Sequence, residues 1–296
     1  MLQLVIDGLF VGSFYALVAL GYSMVYGIIK LLNFAHGDVY MVGAFVGFVT
    51  FSGITGLAGA GILGILLVVL IAMVVTGLLG VAIERVAYRP LRGSPRLAVL
   101  ITAVGMSFIL EYGIRQIFGP NPQVYPARLE GSSIQILDGR ITMPQIILML
   151  VAAVLMFGLN AYIMRSRDGR AMRAIALDPT AAQLMGVNVN SVISRTFFIG
   201  SALAGAAGVM AGAYYGTIDF LMGFVIGLKA FTAAVIGGIG NLYGAMLGGL
   251  VLGLLESLGT HFLGGQWRDV FSFACLILFL SLRPTGILGA RVVERM

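Results

Sequence analysis

From Val39 to Ile83 no Asp, Glu, Lys or Arg occurs. At ~1.5 Å of rise per helical residue, that stretch is long enough to cross a ~30 Å hydrocarbon core twice. Uncharged runs also occupy 8–29, 141–164, 196–218 and 230–255, each close to the ~20 residues one spanning helix needs. A chain of this kind has to fold in a bilayer, because water offers no way to cover so much apolar surface. Composition agrees, with 59% hydrophobic and 10% charged residues.

The net charge of +6 is confined to short connectors, where it reports orientation and not nucleic-acid binding. Arg85, Arg89, Arg92 and Arg96 share one connector, Arg165, Arg167, Arg170 and Arg173 another, and Arg283, Arg291 and Arg295 the tail. These mark the cytoplasmic face, and the alternate connectors carry only Arg128, Arg140 and Arg268, with Glu130, Asp138 and Asp269 beside them. The expected fold is an all-α polytopic membrane protein of eight or nine helices, N-terminus outside and C-terminus cytoplasmic. Spans are expected near 5–28, 39–55, 61–84, 97–118, 143–164, 193–215, 223–238, 241–260 and 269–283. Two of them, 39–55 and 223–238, are short enough to be broken or re-entrant helices lining a cavity. One domain over 1–296 is expected, with a cytoplasmic segment 165–191 and an external segment 119–142. The first run lacks a basic start and a small-residue cleavage site and carries Asp7, so it is read as a retained helix.

Glycine is abundant, at 42 residues. Gly200, Ala204, Gly208, Gly212 and Gly216 recur every fourth position, and Gly240, Gly244 and Gly248 repeat the spacing later. Such stripes let helix backbones approach closely, and packing within the chain is the expected use. Cys275 has no second cysteine to pair with and reads as a small apolar residue.

Several chemistries lack their residues. The only lysines are Lys30 and Lys229, neither preceded by glycine, so no phosphate-binding GxxxxGK[ST] loop exists. His36 and His261 are far apart and no HExxH or Cys/His ligand set occurs, so no metal site is expected. GxSxG is absent, and Gly238, Gly240 and Gly244 miss the dinucleotide spacing. An enzyme is disfavoured, and no catalytic residue is assigned.

The connector 165–191 is too long for a plain turn. Asp178 is placed to cap a short helix starting at Pro179, with Gly186 ending it in a left-handed conformation. Such a helix either docks a cytosolic partner or lies on anionic lipid through its arginines.

Here the sequence resembles a known family. Thr180-Ala181-Ala182-Gln183-Leu184-Met185-Gly186 resembles the EAA-x-x-x-G coupling loop of ABC importer permeases, with Thr180 in place of Glu and the later Leu-Pro missing. Gly12–Leu17, Asn33–Asp38, Glu84–Pro90, Phe231–Gly240 and Pro284–Gly289 resemble, in order, the LivH-type permease of branched-chain amino acid importers. The resemblance covers nearly the whole chain and is weakest at 119–142. It implies a translocation subunit of the bacterial cytoplasmic (inner) membrane without its own ATPase site. Its implied companions are a second homologous permease, two cytoplasmic ATPases that use ATP and Mg, and an extracytoplasmic substrate-binding protein. ATPase coupling is expected at Gly169, Arg170, Arg173, Asp178, Thr180, Ala181, Ala182, Leu184 and Gly186. Asn33, His36, Gly37 and Asp38, expected at the cytoplasmic edge, are candidates to line or gate the pathway. Of the ionisable residues near spans, Glu111 and Arg115 are expected to pair as i, i+4 neighbours. Asp219 and Lys229 are candidates to meet an amino acid's ammonium and carboxylate, and Glu256 has no assigned role. Related permeases for urea, short amides or other amino acids, an ion-coupled secondary transporter, and a channel are the alternatives to a branched-chain amino acid importer.

Overall fold

The computed structural model describes residues 1–54, 56–57, 59, 61–127, 132–136, 139–283 and 285–289. Arg128, Glu130, Asp138, Pro284, Arg291 and Arg295, used above to read orientation or resemblance, lie outside the described residues. Eleven α-helices are described: α1 (Leu2–Ile29), α2 (His36–Gly53), α3 (Gly61–Ile83), α4 (Arg96–Phe118), α5 (Met143–Arg165), α6 (Arg167–Leu177), α7 (Pro179–Leu184), α8 (Val189–Tyr215), α9 (Met222–Gly237), α10 (Leu242–Leu263) and α11 (Arg268–Leu282). A π-helical turn, Glu84–Tyr88, continues α3.

Every expected span coincides with a helix. Seven are long and apolar enough to cross a membrane: α1, α3 with its π turn, α4, α5, α8, α10, and α11 with the short 3-10 turn before it. The remaining two, α2 and α9, are the segments whose shortness suggested broken helices. They meet each other, since a Cβ on Gly37 would lie 2.6 Å from the Cα of Gly227. Among the described residues, strands are limited to two small antiparallel pairs, β1 (Gln123–Val124) with β4 (Thr217–Ile218), and β2 (Ser133–Ile136) with β3 (Gly139–Thr142).

The core forms around α8, which packs against α1, α2 and α3. With lipid as solvent, helices gain from close packing and not from apolar burial, so small residues sit at the crossings. Gly200 faces Gly21 of α1, Gly205 faces Gly43 of α2 and Thr76 of α3, and Gly208 abuts the carbonyl of Tyr40. The stripe read in the sequence therefore serves packing within the chain. Its last member, Gly216, is instead the left-handed cap that ends α8, at φ 70°. Gly240 likewise lies in the turn between α9 and α10, at φ 92°, while Gly244 and Gly248 pack α10 on Gly237 and Ala233 of α9. Beyond the C-terminal end of α4, Tyr125 is buried between Gly47 and Gly212 and beside the ring of Phe51.

Local signals set the helix ends. A capping box between Thr142 and Gln145 opens α5, and Asn188 and Asn241 cap α8 and α10 through their side-chain oxygens.

Candidate functional site

Two regions carry the residues singled out in the sequence, and a chain of polar contacts joins them. The first is the connector after α5. Ser166 accepts from the Gly169 amide at 2.9 Å and so caps α6. Gly169 is required because a Cβ there would run into the backbone of Ile163. Met172 and Ile175 bury the inner face of α6, and Asp168 fastens it further by pairing with Arg195 of α8 and accepting from the Tyr162 hydroxyl at 2.8 Å. Arg173 donates to the carbonyl of Ile163, and Arg170 donates to that of Arg165 at 3.4 Å.

The short helix forms as its sequence indicated. Asp178 Oδ1 accepts from the amides of Thr180 and Ala181 at 2.8 and 3.0 Å, Pro179 occupies the first turn, and Gly186 ends it at φ 85°. Ala182 is buried underneath, with Thr180 and Ala181 exposed. Three apolar side chains point away from the body: Leu177 is 89% exposed, Leu184 84% and Met185 85%.

From this connector a polar route leads inward. Ser194, in the second turn of α8, donates to buried Glu84 at 2.7 Å, and Arg92 bridges Glu84 and Asn190. Burial is the largest influence on the Arg92 guanidinium and draws its pKa below the ordinary arginine value, while Glu84 raises it. Glu84 begins the π turn, whose wider bond runs from the Arg89 amide to the Glu84 carbonyl at 2.7 Å. Local π geometry is common where a helix must present a functional group. At the far end of that turn, the Tyr88 hydroxyl donates to Asn33 Oδ1 at 2.9 Å.

Asn33 belongs to the second region, the break between α1 and α2. The break opens at Lys30, a non-glycine residue held left-handed at φ 54°. The expectation that 33–38 sits at the cytoplasmic edge is corrected beyond Asn33, because the chain turns back into the bundle. The His36 ring lies 4.8 Å from that of Tyr22 and fills the space left by Gly21. Gly21 precedes the end of α1 by about two turns, or ~12 Å. His36 and Asp38 are buried, and Gly37 packs on α9. Asp38 accepts from the Ser107 hydroxyl of α4 and lies against Glu111.

Two further expectations change. Glu111 forms no ion pair with Arg115 among the described residues, since Arg115 extends over the rings of Phe220 and Tyr112. Lys229 is occupied by Glu256 at 3.2 Å and Asp269 at 2.6 Å. Glu256 also binds Arg268 and accepts from the Tyr15 and Ser272 hydroxyls, tying α1, α9, α10 and α11 together. Asp219 accepts from the Leu221 amide at 2.6 Å, just before α9. The parts of Glu84, Tyr88, Ser107 and Ser194 were not foreseen. Glu84 closes the long uncharged run and is the one whose position in the sequence could have drawn attention.

Comparison with known proteins adds an independent line. Residues 4–280 match the family model described as "Branched-chain amino acid transport system / permease component". The chain is 48% identical to the high-affinity branched-chain amino acid transport system permease protein BraD of Pseudomonas aeruginosa, over 99% of this chain and 97% of that protein. It is 44% identical to the LivH permease protein of Escherichia coli (strain K12), with the same two shares covered. A probable LivH of Methanocaldococcus jannaschii is 26% identical, over 97% of this chain and 92% of that protein.

Proposed function

The chain belongs to the family of branched-chain amino acid transport permease components, and from that premise we propose that it carries leucine, isoleucine and valine into the cytoplasm. It is the membrane permease of an ABC transport system. In this reading it works in the bacterial cytoplasmic membrane as one permease domain, N-terminus outside, beside a second homologous permease. Two cytosolic ATPases bind ATP and Mg and supply the energy, and an external binding protein delivers the substrate.

The observation that carries the reading is the shape of the connector. A connector fixed by the caps of its short helix and by the body below it presents three large apolar side chains, Leu177 at the end of α6 and Leu184 and Met185 at the end of α7. Lone exposed apolar residues are unremarkable, but three on one capped projection form a surface suited to a protein groove. When the ATPases close on ATP, force applied at Leu184 and Met185 enters α8 directly, because only Met185–Asn188 separate the two helices. Ser194 and Arg92 pass it to Glu84 and the π turn, and Tyr88 to Asn33 at the head of the break. Movement of α2 and α9 relative to the other helices then exchanges outward and inward access.

The test is co-purification and transport together. Leu184→Asp is expected to cut ATPase retention at least tenfold and to abolish uptake in vesicles holding the complete transporter, with membrane insertion intact. Uphill uptake by the purified chain alone, driven by an ion gradient, would refute the coupling and favour a secondary transporter.

A further inference from the structure

Near the middle of the bundle two carboxyl groups meet with no counter-charge. Asp38, in the first turn of α2, is 0% exposed; Ser107 donates to its Oδ2, and its Oδ1 has no partner. Glu111, 4% exposed and one turn along α4 from Ser107, lies against Asp38, and its Oε1 is also unpartnered. Among the described residues neither carboxyl forms an ion pair. Ser107 and Glu111 fall near the midpoint of α4, hence near the bilayer midplane. Acidic groups at that depth are costly and are kept for a cation, a proton path or a substrate.

The opposite pole lies next to them. At the start of α9 the Leu221 amide donates to Asp219 Oδ1 at 2.6 Å and the Met222 amide to the Asp219 carbonyl at 3.4 Å, which leaves the amides of Gly223 and Phe224, at the positive end of the helix dipole, without an acceptor among the described residues. Gly223 brings that end against Asp38, since a Cβ there would stand 2.7 Å from Asp38 Oδ1. Negative oxygens and the amide end of α9 thus meet at the junction of two short helices.

Resting on the permease reading above, we propose that this junction is the midplane site for the amino acid in transit. Asp38 and Glu111 hold its α-ammonium, and the amide end of α9 at Gly223 and Phe224 receives its α-carboxylate. A midplane site between broken helices can be reached from either face as the bundle rocks.

The experiment uses the complete transporter in vesicles with leucine-loaded binding protein, and measures leucine taken up per ATP hydrolysed. Asp38→Asn and Glu111→Gln are each expected to lower that ratio at least tenfold, because substrate released into the bundle is no longer held while the ATPases turn over. Glu111→Asp, which keeps the charge, is expected within threefold of the unaltered protein. The site is wrong if the ratio stays constant in Asp38→Asn and Glu111→Gln, whether or not uptake and hydrolysis fall together, or if Glu111→Asp is as impaired as Glu111→Gln. Failure of the unaltered transporter to accumulate leucine on ATP would instead overturn the permease reading itself.

Discussion

Replacing Glu256 with Gln removes the carboxylate on which Lys229, Arg268, Tyr15 and Ser272 converge. The side chain of Lys229 is 4% exposed, so it is left in the bundle with Asp269 as its only carboxylate among the described residues. Breaking a buried pair by removing one partner costs roughly 3–5 kcal/mol. The lower end applies here, about 3 kcal/mol, because Asp269 stays 2.6 Å from Lys229 and the Arg268 side chain is 38% exposed and can turn to water. The same reasoning sets the sign of a second change. Glu256→Gln with Arg268→Gln restores charge parity around Lys229, so the double variant is expected to be less destabilised than the sum of the singles by about 1 kcal/mol or more. Reversible unfolding of the four proteins in mixed detergent micelles, followed by circular dichroism, measures both quantities. A Glu256→Gln cost below about 1 kcal/mol, or strict additivity in the cycle, would show that the network is not held by its charges.

Other expectations concern coupling and packing. Gly186→Pro demands a φ near −65° where the chain adopts 85° and removes the amide that donates to Gln183, so ATPase retention is expected to fall at least tenfold in co-purification while insertion is unchanged. Glu84→Gln loses its ion pair with Arg92, and we expect the stimulation of ATP hydrolysis by loaded binding protein to drop at least threefold; equal stimulation would remove Glu84 from the route. Gly208→Ala places a Cβ on the Tyr40 carbonyl and is expected to destabilise by about 1–3 kcal/mol, whereas Gly113→Ala, with open space around it, is expected to be neutral or to gain a few tenths of a kcal/mol in the same unfolding assay.

What could be read from the sequence was local or lipid-driven. Uncharged length located the helices, and Asp178, Pro179 and Gly186 defined α7 because a cap acts within four residues. The depth of His36 and Asp38 was hidden, because a polar cluster between two apolar runs reads as a surface turn unless the chain is known to fold back on Gly21. Glu111 and Arg115 share a helix face, yet each turns to a different neighbour, Glu111 to Asp38 of α2 and Arg115 to Phe220 in the turn before α9. Sequence spacing reports which residues lie alongside one another on a helix, not which helix comes next to it. Lys229 and Glu256 were visible as intramembrane charges, but their partners lie on different helices, so the network they form could not be assembled from one sequence.

The glycine contacts of α8 have a mechanical consequence. Where Gly200 meets Gly21 and Gly208 meets the Tyr40 carbonyl, there are few flexible side chains to absorb a displacement. Its 27 residues make a rod ~40 Å long. A push of an ångström at Asn188 would therefore arrive almost undiminished at Gly216 and the buried Tyr125, so the two ends of α8 are linked by a strut without slack.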